Sequence, residues 1–266
     1  MVRALPEAFD LSGRAALVTG AGSPTGIGFA AARLLGELGA SVALVSTTDR
    51  IIARADELRA GDVAATGHVA DLTDPIQVER VVAEVVSAHG RLDIVVNNAG
   101  MASVGLASTA GSGSVLQTGL DDWRAGMARN LDTAFLVTRA SLPHLVAGQW
   151  GRVVFVSSVT GPVMAMRSEA AYAAAKAAMV GLARSVAVDH ATDGITANTV
   201  APGWIATGSQ TPHEHLEGLA SPTGRSADPA EVAAAIGWLC TPGAAYVTGQ
   251  CLVVDGGNSI AEERAL

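Results

Sequence analysis

Lysine is all but missing from this chain: a single Lys176 stands against sixteen arginines in 266 residues. Charge of either sign is sparse, at 16% of residues, and the net charge of −8 comes with no basic run. These shortages remove the electrostatic footprint that a nucleic-acid partner requires. Cysteine is scarce as well. Cys240 and Cys251 show neither a pairing framework nor metal-ligand spacing, so they read as buried thiols of a reducing cytoplasm, and no metal site is expected. The segment from Met1 to Glu7 lacks an apolar signal core, and no uninterrupted apolar run reaches spanning length. What is present is 49% apolar, enough for a sizeable core in one α/β domain over residues 1–266. So little charge also predicts surface buried between subunits.

Short β runs alternate with helical patterns along the chain. Strands are expected at Ala15–Val18, Ser41–Val45, Ala65–Val69, Asp93–Asn97, Val153–Val156, Thr196–Ala201 and Gln250–Val254. Helices are expected from Gly26 to Leu38, to about Arg59, from Asp74 to His89 and from Ala170 to Ala191. Such alternation gives a doubly wound parallel sheet of seven strands with helices on both faces. The unbroken apolar strands fit burial on both sides.

The stretch from Ser157 to Lys176 carries the chemistry. Tyr172 and Lys176 are four residues apart on a helix and so share a face, while Ser158 ends the preceding strand. A phenol titrates near pH 10 unaided. An ammonium beside it favours the phenolate and moves it toward the range useful for acid–base catalysis. A serine hydroxyl can hold a substrate oxygen where charge develops. That the only lysine falls here suggests that arginine's planar fork would not serve. Taken alone, the pair could equally be two neighbours on a helix face.

A glycine loop, Thr19-Gly20-Ala21-Gly22-Ser23-Pro24-Thr25-Gly26-Ile27-Gly28, joins the first strand to a helix. Its glycines let backbone approach a pyrophosphate at the positive helix N-terminus. With these features the chain resembles the short-chain dehydrogenase/reductase family from about Leu11 to Gly257. Asn97-Asn98-Ala99-Gly100, Asn130, Pro202-Gly203 with Thr207, and Asp255-Gly256-Gly257 add to the resemblance. It implies a Rossmann-type fold with Tyr172 as acid/base and Ser158 orienting the carbonyl. Lys176 would lower the tyrosine pKa and hold the nicotinamide ribose, and Asn130 would anchor a water of the proton relay. Gly20, Gly22, Thr25, Gly26, Ile27 and Gly28 would cradle the phosphates. Asp71 and Leu72 would border the adenine, and Asn98, Ala99 and Gly100 would line the cleft. Pro202, Gly203, Ile205 and Thr207 would flank the nicotinamide amide.

Two departures from the family pattern stand out. Five residues separate Gly20 from Gly26 where the family has three, so either Gly20 or Gly22 could make the tight turn. After Gly100 a Gly/Ser-rich segment, 101–118, is expanded; it reads as a mobile wall of the substrate pocket or as a plain surface loop.

The second strand ends in Ser46, Thr47 and Thr48 with Arg50 following, where an acidic residue would select NAD. NADP(H) is therefore expected, the competing idea being that Asp49 curls back to the ribose and selects NAD(H). The substrate is expected between 101–118, 159–166 and 204–225, with Trp204, Met164 and Met166 as an apolar wall. His213-Glu214-His215 reads as solvated loop. A ketoreductase similar to 3-oxoacyl-(acyl-carrier-protein) reductases is the favoured activity, with carrier docking dependent on a local patch such as Arg129 and Arg167. An NAD-dependent secondary alcohol dehydrogenase and a non-catalytic dinucleotide sensor are the alternatives. Small residues along Ala173 to Gly181 predict helix packing between subunits in a homotetramer, with a small-molecule substrate and no membrane or nucleic-acid partner.

Overall fold

The computed structural model describes residues 5–100 and 113–263. Seven strands form one sheet: β1 (Ala15–Thr19), β2 (Ser41–Ser46), β3 (Ala65–Val69), β4 (Ile94–Asn97), β5 (Gly151–Val156), β6 (Ile195–Pro202) and β7 (Cys251–Val254). All neighbours are parallel, in the order β3-β2-β1-β4-β5-β6-β7. Every residue of β1, β4, β5 and β6 is buried, as strands covered on both faces require.

One face is covered by α1 (Ile27–Glu37), α2 (Arg50–Ala60) and α8 (Pro229–Cys240), through Phe29, Leu35, Leu58 and Ile236. The other is covered by α3 (Pro75–His89), α5 (Thr133–Ala147) and α6 (Ala170–Asp189), through Val81, Val85, Val137 and Met179. Two further helices, α4 (Leu120–Met127) and α7 (Pro212–Leu219), lie near the carboxyl ends of the strands. Local chemistry sets several boundaries. Asp74 caps α3 by accepting from Ile76 N, Pro75 starts the helix and Gly90 ends it at φ 75°. Asp228 and Glu231 form a capping box on α8.

Two expectations need correction. The stretch His213-Glu214-His215 belongs to α7 rather than to a loop, because Thr211 and Glu214 form a capping box behind Pro212. And α6, at 20 residues with a hydropathy of 1.2, is long and apolar enough by composition to cross a membrane. Here it packs on the sheet instead, with Lys176 among its buried residues.

The chain reverses its direction of winding between β1 and β4, which are neighbours in the sheet. A cleft opens at the carboxyl ends of such a pair. That geometry positions the site.

Candidate active site

At the end of β1 the chain turns at Gly20, whose φ is +68°. A Cβ there would meet Asn98 Nδ2 at 2.8 Å and Ala99 Cα at 2.9 Å, and one on Gly28 would meet Asn98 Nδ2 at 2.5 Å. Gly20 therefore makes the tight turn, and Thr19 stays in register. The Thr19 hydroxyl accepts from Asn98 N (3.0 Å) and Ala99 N (2.9 Å), while Asn98 Nδ2 donates back to Thr19 O and Gly20 O. Gly22 lies instead against the end of β2, where a Cβ would sit 3.0 Å from the Ser46 side chain and 4.0 Å from Arg50 Nη2. The two extra loop residues thus bring the phosphate loop onto Ser46 and Arg50.

The resulting cavity, of about 810 Å³, is lined by Gly20, Gly22, Gly26, Ile27, Ser46, Thr47, Arg50, Asp71, Leu72, Asn98, Ala99, Gly100 and Thr207. No carboxylate stands at the end of β2; Ser46 Oγ donates to Thr48 O and Arg50 Nε to Thr48 Oγ1. Several expected residues lie elsewhere. Gly28 packs beneath the turn, Thr25 Oγ1 accepts from Gly208 N at 3.0 Å, and Thr48 is occupied by Ser46 and Arg50. Gly203 and Ile205 line a second cavity, and Pro202 is buried in β6. Asp71 holds its own loop by accepting from Thr73 N and Oγ1. Sequence reasoning missed Ser23, Ser209 and Arg129 in the first cavity. Arg129, considered from the sequence only for a carrier-docking patch, precedes Asn130 in the turn between α4 and α5 and lines this cavity.

The second cavity, of about 230 Å³, is lined by Ser158, Tyr172, Val159, Thr160, Met166, Trp204, Gln210 and Glu214, among others. Gly100, Thr207 and Ser209 border both cavities, so the two meet. Met164 is not part of the wall, because its sulfur accepts from Asn258 Nδ2 at 3.7 Å. The segment 101–112 lies outside the described residues, and so does its expected role.

Gly161 fixes Ser158 relative to Tyr172. At φ +114° it lets the loop after β5 lie directly on α6, where a Cβ would come within 2.3 Å of Ala173 O. Ser158 Oγ accepts from Thr160 N at 3.1 Å and hydrogen bonds with the Tyr172 phenol. The adjacent Ser157 faces away and donates to Lys176 O at 2.7 Å. Lys176 is 3% exposed; its Nζ lies 5.7 Å from the Tyr172 ring centroid and donates to Val156 O at 2.9 Å. Asn130 sits in a π-helical turn, Ala128–Asp132, of the kind that often interrupts helices at working sites. A Cβ on Gly100 would meet Asn130 Oδ1 at 2.8 Å and Lys176 Nζ at 3.2 Å. Both polar groups therefore converge on one glycine.

The electrostatics differ from the expectation. Burial pushes the Tyr172 phenol up to about 12; the Ser158 hydrogen bond opposes this, and the Glu169 and Glu214 carboxylates add to it. Burial brings Lys176 down to about 8. Desolvation dominates the shift of the phenol, and the Lys176 ammonium, bonded to the Val156 carbonyl, is not among the groups that move it.

A family model described as Enoyl-(Acyl carrier protein) reductase matches residues 20–259. Oxidoreductase UcpA of Escherichia coli (strain K12) is 36% identical over 264 residues, 95% of this chain and 97% of that protein. The 3-oxoacyl-[acyl-carrier-protein] reductase FabG of Vibrio cholerae is 37% identical over 252 residues, 93% and 98% of the two chains. Among solved structures, a putative NAD(P)-dependent gluconate 5-dehydrogenase from Beutenbergia cavernae with bound NADP superposes with a TM-score of 0.86. It is 35% identical, and the match covers 96% of this chain and 100% of that one. With sheet order, glycine turn and these similarities in agreement, the chain belongs to the short-chain dehydrogenase/reductase family of oxidoreductases.

Proposed function

We propose that the protein is an NADP(H)-dependent ketoreductase, moving a hydride between the nicotinamide and a ketone or secondary alcohol. The observation that carries this reading is the junction of the two cavities. Tyr172 and Ser158 line the smaller one, and Gly100, Thr207 and Ser209 border both. The glycine cradle suits a dinucleotide: Gly20, Gly22 and Gly100 line the larger cavity, and packing against Asn98, Ser46 and Asn130 leaves no room for side chains there, so bare backbone faces the ligand. When bound, the reduced cofactor supplies the hydride.

The chain's own residues handle the oxygen. Ser158 Oγ accepts from Thr160 N, and its O–H, directed at the Tyr172 phenol in this structure, can turn to a carbonyl oxygen that enters between the two hydroxyls. Tyr172, with its pKa raised to about 12, holds a proton ready for the developing alkoxide. Lys176 places positive charge behind that phenol. Asn130 Oδ1, close to the same glycine as Lys176 Nζ, suits an anchored water in the relay.

The cofactor assignment is supported by the end of β2. Ser46, Thr47 and Arg50 face the cavity at the end of β2, where no carboxylate lines it; the one that does, Asp71, follows β3, and Arg129 adds a second guanidinium. NADP bound to the gluconate 5-dehydrogenase relative points the same way. The reading includes a homotetramer, supported by large apolar side chains left exposed at Phe135, Val188, Trp238 and Tyr246.

The test is direct. NADPH oxidation is followed against β-ketothioesters, cyclic ketones and α-diketones, with NADPH and NADH affinities measured by fluorescence titration. NADPH should bind at least about tenfold more tightly, a difference of ~1.4 kcal/mol. Equal or tighter NADH binding would overturn the cofactor assignment. No turnover with any ketone class would overturn the reductase reading.

A further inference from the structure

We infer that Glu214 selects the substrate by charge: the ketone this site takes carries a protonated amine, held by the Glu214 carboxylate while Ser158 and Tyr172 hold the carbonyl oxygen. This rests on the ketoreductase reading above. Among the described residues, Glu214 is the only charged one lining the smaller cavity, whose walls are otherwise apolar, aromatic or neutral, with Trp204 and Met166 among them. Lys176 lies behind Tyr172, bonded to Val156 O, and does not line the cavity.

The capping box at the start of α7 uses one oxygen of the Glu214 carboxylate. Thr211 N and Oγ1 both donate to the same oxygen, Oε2, at 2.7 and 3.0 Å, a duty that glutamine also performs. The other oxygen, Oε1, has no part in the cap. The field of Glu214 is felt at the reacting position, since it adds to the rise in the Tyr172 pKa.

Size and charge then narrow the substrate. At about 230 Å³ the cavity holds roughly eight waters at ~30 Å³ each, which suits a small ketone. An anionic group brought here would lose water and meet the like charge of Glu214, with neutral donors such as Gln210 and Trp204 but no cation among the described lining residues. A cationic one would find a carboxylate and the apolar and aromatic side chains of Met166 and Trp204. Carboxylate-bearing ketones are therefore disfavoured in this chain.

Three ketones of matched size decide the matter: 4-(aminomethyl)cyclohexanone, 4-ethylcyclohexanone and 4-oxocyclohexanecarboxylate, compared by kcat/KM at neutral pH and low salt. The wild type should prefer the amine over the carboxylate by at least about tenfold, with the neutral ketone between them. Glu214→Gln should bring the ratio toward parity, with unfolding midpoint and NADPH affinity reporting whether the fold is retained. A wild-type enzyme that reduces the carboxylate or the neutral ketone as well as the amine would overturn the inference whatever the variant does. So would a preference that survives in folded Glu214→Gln. In either case reduction itself would still be seen, so the ketoreductase reading would stand; loss of all ketone reduction in the wild type would remove both.

Discussion

Burial acts in opposite directions on the two residues that matter most. Tyr172 is pushed up to about 12 and Lys176 down to about 8. Reduction of a ketone needs the proton on the phenol and the positive charge on the amine together. Both are present below pH 8; above it the amine loses its charge first, while the phenol keeps its proton to about pH 12. The kcat/KM of ketone reduction, which reports free-enzyme groups, should therefore fall above about pH 8 and not wait for pH 10. A flat profile to pH 10 would show that the charge of Lys176 is not needed. The same shifts carry a stability signature. The buried ammonium costs stability below pH 8, relieved as pH rises from about 8 toward 10.5, whereas Tyr172 contributes stability that is lost between pH 10 and about 12. Tyr172 and Lys176 were visible in the sequence as a pair four residues apart. Their electrostatics were not, because desolvation depends on what the fold stacks around them.

Elements explain which spacings could be read and which could not. The glycine loop was legible as a phosphate cradle, but its two extra residues left Gly20 and Gly22 equivalent on paper. Only the packing of Gly20 against Asn98, and of Gly22 against Ser46, separates them. Likewise α7 was missed: Thr211-Pro212 with Glu214 spells a capping box, yet the surrounding prolines and glycines read as loop. The loop–helix contact at Gly161 gives a sharp test. Gly161→Ala adds a Cβ 2.3 Å from Ala173 O in a positive-φ turn, so it should cost about 2–4 kcal/mol in chemical denaturation and lower turnover by separating Ser158 from Tyr172. The proposed preference for NADP(H) rests on the end of β2. Ser46→Asp should weaken NADPH binding by at least about tenfold (~1.4 kcal/mol) and favour NADH, measured by titration. Unchanged NADPH affinity would mean that the 2′-phosphate does not rest on Ser46 and Arg50.

Across the whole molecule, the seven-stranded parallel sheet was recoverable because alternating β and α patterns admit few right-handed parallel topologies, while the order of its strands came from the structure. Assembly is less legible, since apolar side chains at the surface name no partner by themselves. Light scattering at micromolar concentration should give the mass of four chains; a single monomeric mass would contradict the proposed tetramer. The account as a whole turns on one phenol at the junction of the cofactor and substrate cavities. The most direct test replaces Tyr172 by Phe and measures NADPH affinity and ketone turnover on the same preparation. Turnover should fall by about 10²–10⁴-fold with NADPH binding nearly unchanged, whereas a Tyr172→Phe protein that reduces ketones at the wild-type rate would contradict the mechanism.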